Sequence, residues 1–276
     1  MNALVISPFD IDERKKITRI IFTLILLLEI YLFFSNSFIH QFQQPVFKSL
    51  GLDLTYYGFH WIGIPNLIIR NPQIALIFDI SLIALTVLCF LFPLKKIYLI
   101  LFYLFFFTFF ITVNSYSLFH KHTFMGVIFG VFPFLFTNNT TSKMLWEFTR
   151  YIHLFIYFSA FLWKVFRGSF FEFDHFQTIM ESIFHSYLFE SPTTFFAGVY
   201  RFLLIHPSIL YILGLIGLFL EGIFLIGFFT KKYDRSLFLI GIILHISFWF
   251  FADAILSPLL ILSLSLLNVR TVTKND

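Results

Sequence analysis

The chain has 276 residues, of which 59% are hydrophobic, 22% aromatic and 12% charged, with a formal net charge of +4 and a mean hydropathy of +0.87. A soluble domain carries about 25% charged residues, so this composition excludes a water-soluble enzyme, a disordered chain and a nucleic-acid binder, and leaves a multi-pass membrane protein. The single cysteine, Cys89, allows no internal disulfide, and no cysteine cluster offers a zinc or iron–sulfur site.

At the start of the chain, Asp10, Asp12 and Glu13 precede the first basic cluster, and no small-residue cleavage site follows the first apolar run. That run therefore reads as a spanning helix and not as a cleavable leader. About eight runs approach the roughly 20 residues that cross a bilayer as a helix. They cover residues 17–34, 73–92, 97–116, 123–136, 148–166, 208–229, 237–251 and 254–267, the fourth being short and the last two tight. Backbone groups in lipid must be satisfied within the segment, so each is expected as an α-helix. The expected fold is an all-α integral membrane protein with residues 1–276 as one multi-pass domain.

Charge sets the expected orientation. Arg14, Lys15, Lys16, Arg19, Lys95, Lys96, Lys143, Arg150, Lys231, Lys232, Arg235, Arg270 and Lys274 fall on one side of the alternation. Only Lys48, Arg70, Lys121, Arg167 and Arg201 fall on the other. The positive-inside rule then places both ends of the sequence in the cytoplasm, and the basic character is a topology signal. A bacterial inner membrane is the expected location.

Two outer connections are long. The first, residues 35–72, holds Tyr56, Tyr57 and Trp61, which suit the headgroup layer. In the second, residues 167–207, Phe176, Ile179, Met180, Ile183, Phe184 and Leu188 recur at helical spacing, with Gln177, Glu181 and Ser182 opposite. This predicts an amphipathic outer-face helix between the fifth and sixth spans. Ser191-Pro192 follows as an expected N-cap and first-turn proline for a further short helix.

Ionisable groups inside apolar runs each need a reason, because a charge in the bilayer costs a few kcal/mol even on lenient scales. They are Glu29, Asp79, His153, Lys164, Glu221 and His245, with Asn114 and His122 near span ends. The topology places Glu29, Asp79, Asn114, His122 and Lys164 toward the outer leaflet, His245 midway or outward, and Glu221 and His153 deeper or on the inner side. Lys164 has three open roles: snorkelling to headgroups, a structural pair with Glu29 or Asp79, or a basic amine. His245 reads equally as an interhelical hydrogen-bonding group, and Glu221 as a partner across a close helix contact. His120 and His122 are a weak metal motif, so no metal is expected.

Residues 150–170 read RYIHLFIYFSAFLWKVFRGSF. They resemble the signature of the horizontally transferred transmembrane domain family, which includes the membrane part of vitamin K-dependent γ-glutamyl carboxylase. Its pattern is an Arg, an apolar stretch, Tyr-Phe-x-Ala-Gly, then Lys and often a Trp. Tyr157-Phe158-Ser159-Ala160 and Lys164 match, while Phe161 stands where Gly is usual and Phe170 where Trp is usual. His122-Thr123-Phe124 is similar to an Asn-His-Ser/Thr-aromatic element, with Lys121 replacing the Asn. Leu244-His245-Ile246 is similar to the family's late Phe-His-apolar helix. The likeness is strongest over residues 117–267.

The resemblance implies that the Lys164 amine takes a proton from a quinol and that His122 stabilises the oxyanion. His245 is a third catalytic candidate, and Tyr157 and Asn114 are candidate quinol contacts. The chain lacks the carboxylase's large lumenal portion, so a peptide carboxylation is not expected, and Phe161 fills space beside the lysine's turn. Three functions stand open. One is a carboxylase-like oxidoreductase acting on a quinol or other lipid-soluble substrate at the outer leaflet. Another is a non-catalytic subunit that binds a protein partner on the outer face. The third is a transporter or proton relay using Glu29, Asp79, His245 and Glu221.

Overall fold

The computed structural model describes residues 9–42, 58, 61–116, 124–168, 171–252 and 257–267, and among them every regular element is helical. Contacts gather into two compact units, residues 1–149 with 257–262 and residues 150–256 with 263–276.

The first unit holds α1 (Ile11–Phe34), α2 (Ile64–Arg70), α3 (Pro72–Leu91), α4 (Lys96–Tyr116) and α5 (Met125–Val131). Asp10 opens α1 by accepting from the Asp12 amide. Thr18, Ile21, Phe22, Ile25, Leu28 and Leu32 then form the buried stripe that spacing of three and four residues produces. Asn71 caps α3 through the amides of Gln73 and Ile74 at 3.1 and 3.3 Å, with Pro72 in the first turn where its missing N–H costs nothing. Ring pairs fix the packing directions. Phe78 stacks on Phe105 and Phe92 meets Tyr98, so α3 and α4 run antiparallel. Pro133, which has no N–H to continue an α-helix, lies where α5 tightens into the 3-10 turn Phe132–Leu135.

α5 lies against residues 257–262. A Cβ at Gly126 would collide with the Pro258 carbonyl, and one at Gly130 with the Ile261 side chain. Both contacts advance together along the chain, so these two short segments run the same way. Arg14, 6% exposed, binds the chain end that follows α5. Its guanidinium donates to the carbonyls of Phe134 and Thr137 at 3.1 and 3.2 Å, to that of Phe136, and to Asn139 Oδ1 at 2.9 Å. This cation satisfies carbonyls that a helix end leaves without partners.

α6 (Asn139–Arg167) is 29 residues long, and from Arg150 onward it belongs to the second unit. There it is joined by α7 (His175–Glu190), α8 (Phe195–Ile205), α9 (Pro207–Ile223), α10 (Ile226–Phe229) and α11 (Asp234–Ala252). Contacts of Phe161 with Gly222, Tyr157 with Phe224 and Arg150 with Gly227 make α6 and α9–α10 antiparallel. Contacts of Arg150 with Asp234 and Tyr157 with His245 make α6 and α11 parallel. The expected amphipathic helix is α7, with Met180 and Phe184 packed on Tyr200, Leu203 and Leu210. Ser191 closes α7 instead of opening α8. Thr194 caps α8, because its hydroxyl is the one that reaches the Ala197 amide, at 3.3 Å.

Among the described residues, five helical stretches are long and apolar enough to cross a membrane: Ile11–Gln41, Pro72–Leu91, Lys96–Tyr116, Pro207–Phe229 and Asp234–Phe251. Their outward faces expose Ile77, Phe219, Leu239 and Ile246 at more than half of each residue's surface, which a hydrocarbon solvent accommodates and water does not. The protein is an all-α integral membrane protein. α6 spans about 43 Å at 1.5 Å per residue, ample for a ~30 Å core, but it carries Glu147, Arg150, His153 and Lys164. Described helical residues in 124–135 and 257–267 fall short of about 20.

Gly126→Val should lower stability by about 1–3 kcal/mol through overpacking against backbone. Thermal unfolding in mild detergent reads this as a clear fall in Tm; an unchanged Tm would show that α5 does not lie against Pro258.

Candidate functional site

Arg150, His153, Tyr157 and Lys164 are three, four and seven residues apart on α6, so they share one face. That face meets Glu221 from α9 and Asp234 and His245 from α11. From Arg150 to Lys164 the face rises about 21 Å. It therefore forms a column of polar side chains inside an otherwise apolar packing of Leu154, Phe224, Leu237 and Leu244.

An ion pair closes each end. At one, Arg150 has no exposed surface and grips Asp234 with two hydrogen bonds, Nε to Oδ2 at 2.8 Å and Nη2 to Oδ1 at 2.7 Å. Nη2 also donates to the carbonyls of Gly227 and Thr230 at 2.7 and 3.3 Å. These carbonyls become available because the chain turns after α10 (Ile226–Phe229). A Cβ at Gly227 would collide with Leu154 and Leu237, so glycine permits this close approach. At the other end, Lys164 Nζ donates to Glu221 Oε1 and lies 5.2 Å from the centre of the Phe248 ring. The lysine side chain is 26% exposed and the glutamate 2%. The Lys164 amine thus sits against a buried carboxylate while its side chain stays about a quarter exposed.

Between the pairs, the Tyr157 hydroxyl and His245 Nε2 are hydrogen-bonded at 3.0 Å. His153 has no exposed surface, and its ring packs edge-on to Tyr157 at 5.1 Å and to Phe224 at 5.6 Å. Among the described residues, neither nitrogen of His153 has a hydrogen-bond partner, and neither do His245 Nδ1, Glu221 Oε2 and Arg150 Nη1. Phe224 stacks on Tyr157 at 4.4 Å and forms one wall of the column. Phe161, where the family pattern expects glycine, meets Gly222 of α9, so bulk on one helix faces a small residue on the other.

Of the residues singled out from sequence, the structure brings together Lys164, Tyr157 and His245. Asn114 lies in the first unit, buried, with its amide donating to the Phe110 carbonyl one turn back at 3.0 Å. His122 lies outside the described residues. The expected structural partners of Lys164 were Glu29 or Asp79. Its carboxylate is Glu221 instead, and the other two are engaged within the first unit. Thr86 Oγ1 donates to Glu29 at 2.6 Å, and Asp79 Oδ2 lies 2.9 Å from the His40 amide and 2.8 Å from His40 Nδ1. Arg14 and Arg150, counted by sequence among loop cations that orient the chain, are buried structural groups. Asp234 had no role in the sequence reading, because an acid beside Lys231, Lys232 and Arg235 looks like ordinary loop charge.

A cleft of about 250 Å³ opens in the second unit between α7, α8 and α11, lined by Phe184, Tyr187, Phe196, Tyr200, Trp249 and Phe250 together with Ile183. Lys164 does not line it. No protein-family model, curated protein or solved structure matches this chain.

Breaking a buried pair strands a charge and costs about 3–5 kcal/mol, whereas replacing both partners by apolar groups is close to neutral. Lys164→Met or Glu221→Leu alone should therefore lower the Tm in detergent, and the double variant should recover most of the loss. Additive losses would show that the two side chains do not interact.

Proposed function

We propose that this protein is a membrane enzyme of the horizontally transferred transmembrane domain type that removes a proton from a lipid-soluble hydroxyl compound such as a quinol. The observation that carries the proposal is the Lys164–Glu221 pair, with the Tyr157–His245 pair on the same face of α6. An ammonium–carboxylate pair and its amine–acid form differ only in the position of one proton. Glu221 can hold the proton while the Lys164 amine accepts another from the substrate: the substrate O–H bond breaks, an N–H bond forms, and the oxyanion retains the electron pair. Partial exposure of Lys164 leaves it open to a substrate arriving through lipid, and Tyr157 and His245 supply hydrogen bonds close by.

The same proposal includes eight crossings. α6 crosses in spite of its polar column because that column faces protein. Residues 123–136 and 254–267 cross as a short pair, a reading supported by the contacts of Gly126 with Pro258 and of Gly130 with Ile261, which advance in the same chain direction. Antiparallel α6 and α9 and parallel α6 and α11 fit the same alternation. The basic loops then lie in the cytoplasm with both ends of the sequence, and the α7 side of the protein faces outward from a bacterial inner membrane.

Air oxidation of a short-chain quinol, followed by its ultraviolet absorbance, tests the proposal because the quinolate is the readily oxidised form. Wild-type protein in mixed micelles should accelerate it, and Lys164→Ala should lose at least 90% of that acceleration. Equal rates for the two proteins would sink the enzyme reading.

A further inference from the structure

The proposed chemistry uses Lys164, Glu221, Tyr157 and His245 and leaves His153, between them and Arg150, without a role. His153 is the most costly residue there. Burying a polar ring without hydrogen bonds is unfavourable, yet neither of its nitrogens has a partner among the described residues. Within one or two helical turns of it lie three more buried atoms in the same condition: Arg150 Nη1, His245 Nδ1 and Glu221 Oε2. Gly241 of α11 faces the ring. A Cβ there would stand 3.9 Å from His153 Nε2 and 3.8 Å from Phe224 Cζ, an ordinary contact distance, so glycine leaves a small space beside the imidazole. A buried water needs two to four polar partners and room for one probe sphere. Donors and acceptors without partners beside a glycine meet that description.

We propose that this column is a hydrated proton path through the second unit, joining the Lys164–Glu221 end to the Arg150–Asp234 end through Tyr157, His245 and His153. Glu221, Tyr157, His245 and His153 can each pass a proton without changing their bonds to carbon, while Arg150 stays protonated throughout. Glu221 takes a proton on one oxygen. The Tyr157 hydroxyl gives its proton to one neighbour as it receives another, and His245 Nε2 serves as donor or acceptor across their 3.0 Å bond according to its tautomer. His153 accepts on one nitrogen and releases from the other. Each hop breaks one O–H or N–H bond and makes one, no electrons are transferred, and the sum is one proton moved along the column. Asp234 cancels the charge of Arg150, so the far end does not repel an arriving proton with a bare cation. The ~21 Å between Arg150 and Lys164 cover most of a ~30 Å hydrocarbon core. The path goes beyond the enzyme reading and holds for any substrate, because it is tested with none present.

The test uses the full chain reconstituted in vesicles of phosphatidylethanolamine and phosphatidylglycerol that enclose a pH-sensitive dye. A pH step is applied outside with the membrane potential clamped by potassium and valinomycin. Wild-type vesicles should equilibrate at least tenfold faster than protein-free ones. His153→Phe, which removes the relay, and Gly241→Val, which fills the space beside it, should each reduce the protein-dependent rate at least fivefold, while Glu181→Gln on the exposed face of α7 keeps it. No flux above the protein-free rate, or equal flux in wild type and both variants, overturns the path. Should His153→Phe fail to fold, Gly241→Val and Tyr157→Phe decide the matter. A second readout is water-to-nitrogen magnetisation transfer in histidine-labelled protein: transfer to His153 supports a hydrated column, and a dry His153 signal overturns it.

Discussion

Arg150 has no exposed surface in a packing of leucines and phenylalanines, and a guanidinium there is tolerable only with a carboxylate and carbonyl oxygens in bonding geometry. Asp234 and the carbonyls of Gly227 and Thr230 provide them, from the start of α11, from α10 and from the turn between the two. That requirement fixes where α6 stands against both neighbouring helices. Once the register is set, helical periodicity alone brings Tyr157 beside Phe224 and His245 and brings Lys164 within reach of Glu221. The polar column follows from one buried cation and the spacing of α6.

The first unit meets the same cost of buried polarity differently. Arg14 ties α1 to the carbonyls after α5, Thr86 joins Glu29 across α1 and α3, and Asp79 holds the backbone and ring of His40. Each of these contacts fastens one segment to another and ends there. Buried atoms without partners occur in both units, Arg14 Nε, Glu29 Oε2 and Asp79 Oδ1 among them. What distinguishes the second unit is order: its polar groups follow one another along a single helix face. That continuity, and not the orphan atoms alone, is what supports the chemistry proposed for this unit.

Much of the site was visible as residues and little of it as partnerships. Tyr157 stood out only through the family resemblance, Lys164 and His245 because ionisable residues inside apolar runs are costly, and Glu221 on the same ground as a group bonded across a close helix contact. Its partnership with Lys164 was hidden, because sequence assigns depth by residue counting while a lysine side chain reaches about a full helical turn. Arg150 and Arg14 were hidden more thoroughly: both lie near the ends of apolar runs, where an exposed loop cation and a buried helix-end cation look alike. Phe161 looked like a plug beside the lysine until Gly222 appeared opposite it.

Sequence by itself determined that the chain is helical and belongs in a membrane, because hydropathy and length are local sums that no later packing can reverse. It also determined the apolar face of α7, since 3.6-residue periodicity is a property of one helix alone. Tertiary structure alone decided which acid meets which base, that Thr194 and not Ser191 begins α8, and that a histidine with two unpaired nitrogens sits between two ion pairs. Those outcomes depend on the axial registers of separate helices, and a shift of one turn, about 5.4 Å, would exchange every partner while leaving each helix's own sequence pattern intact.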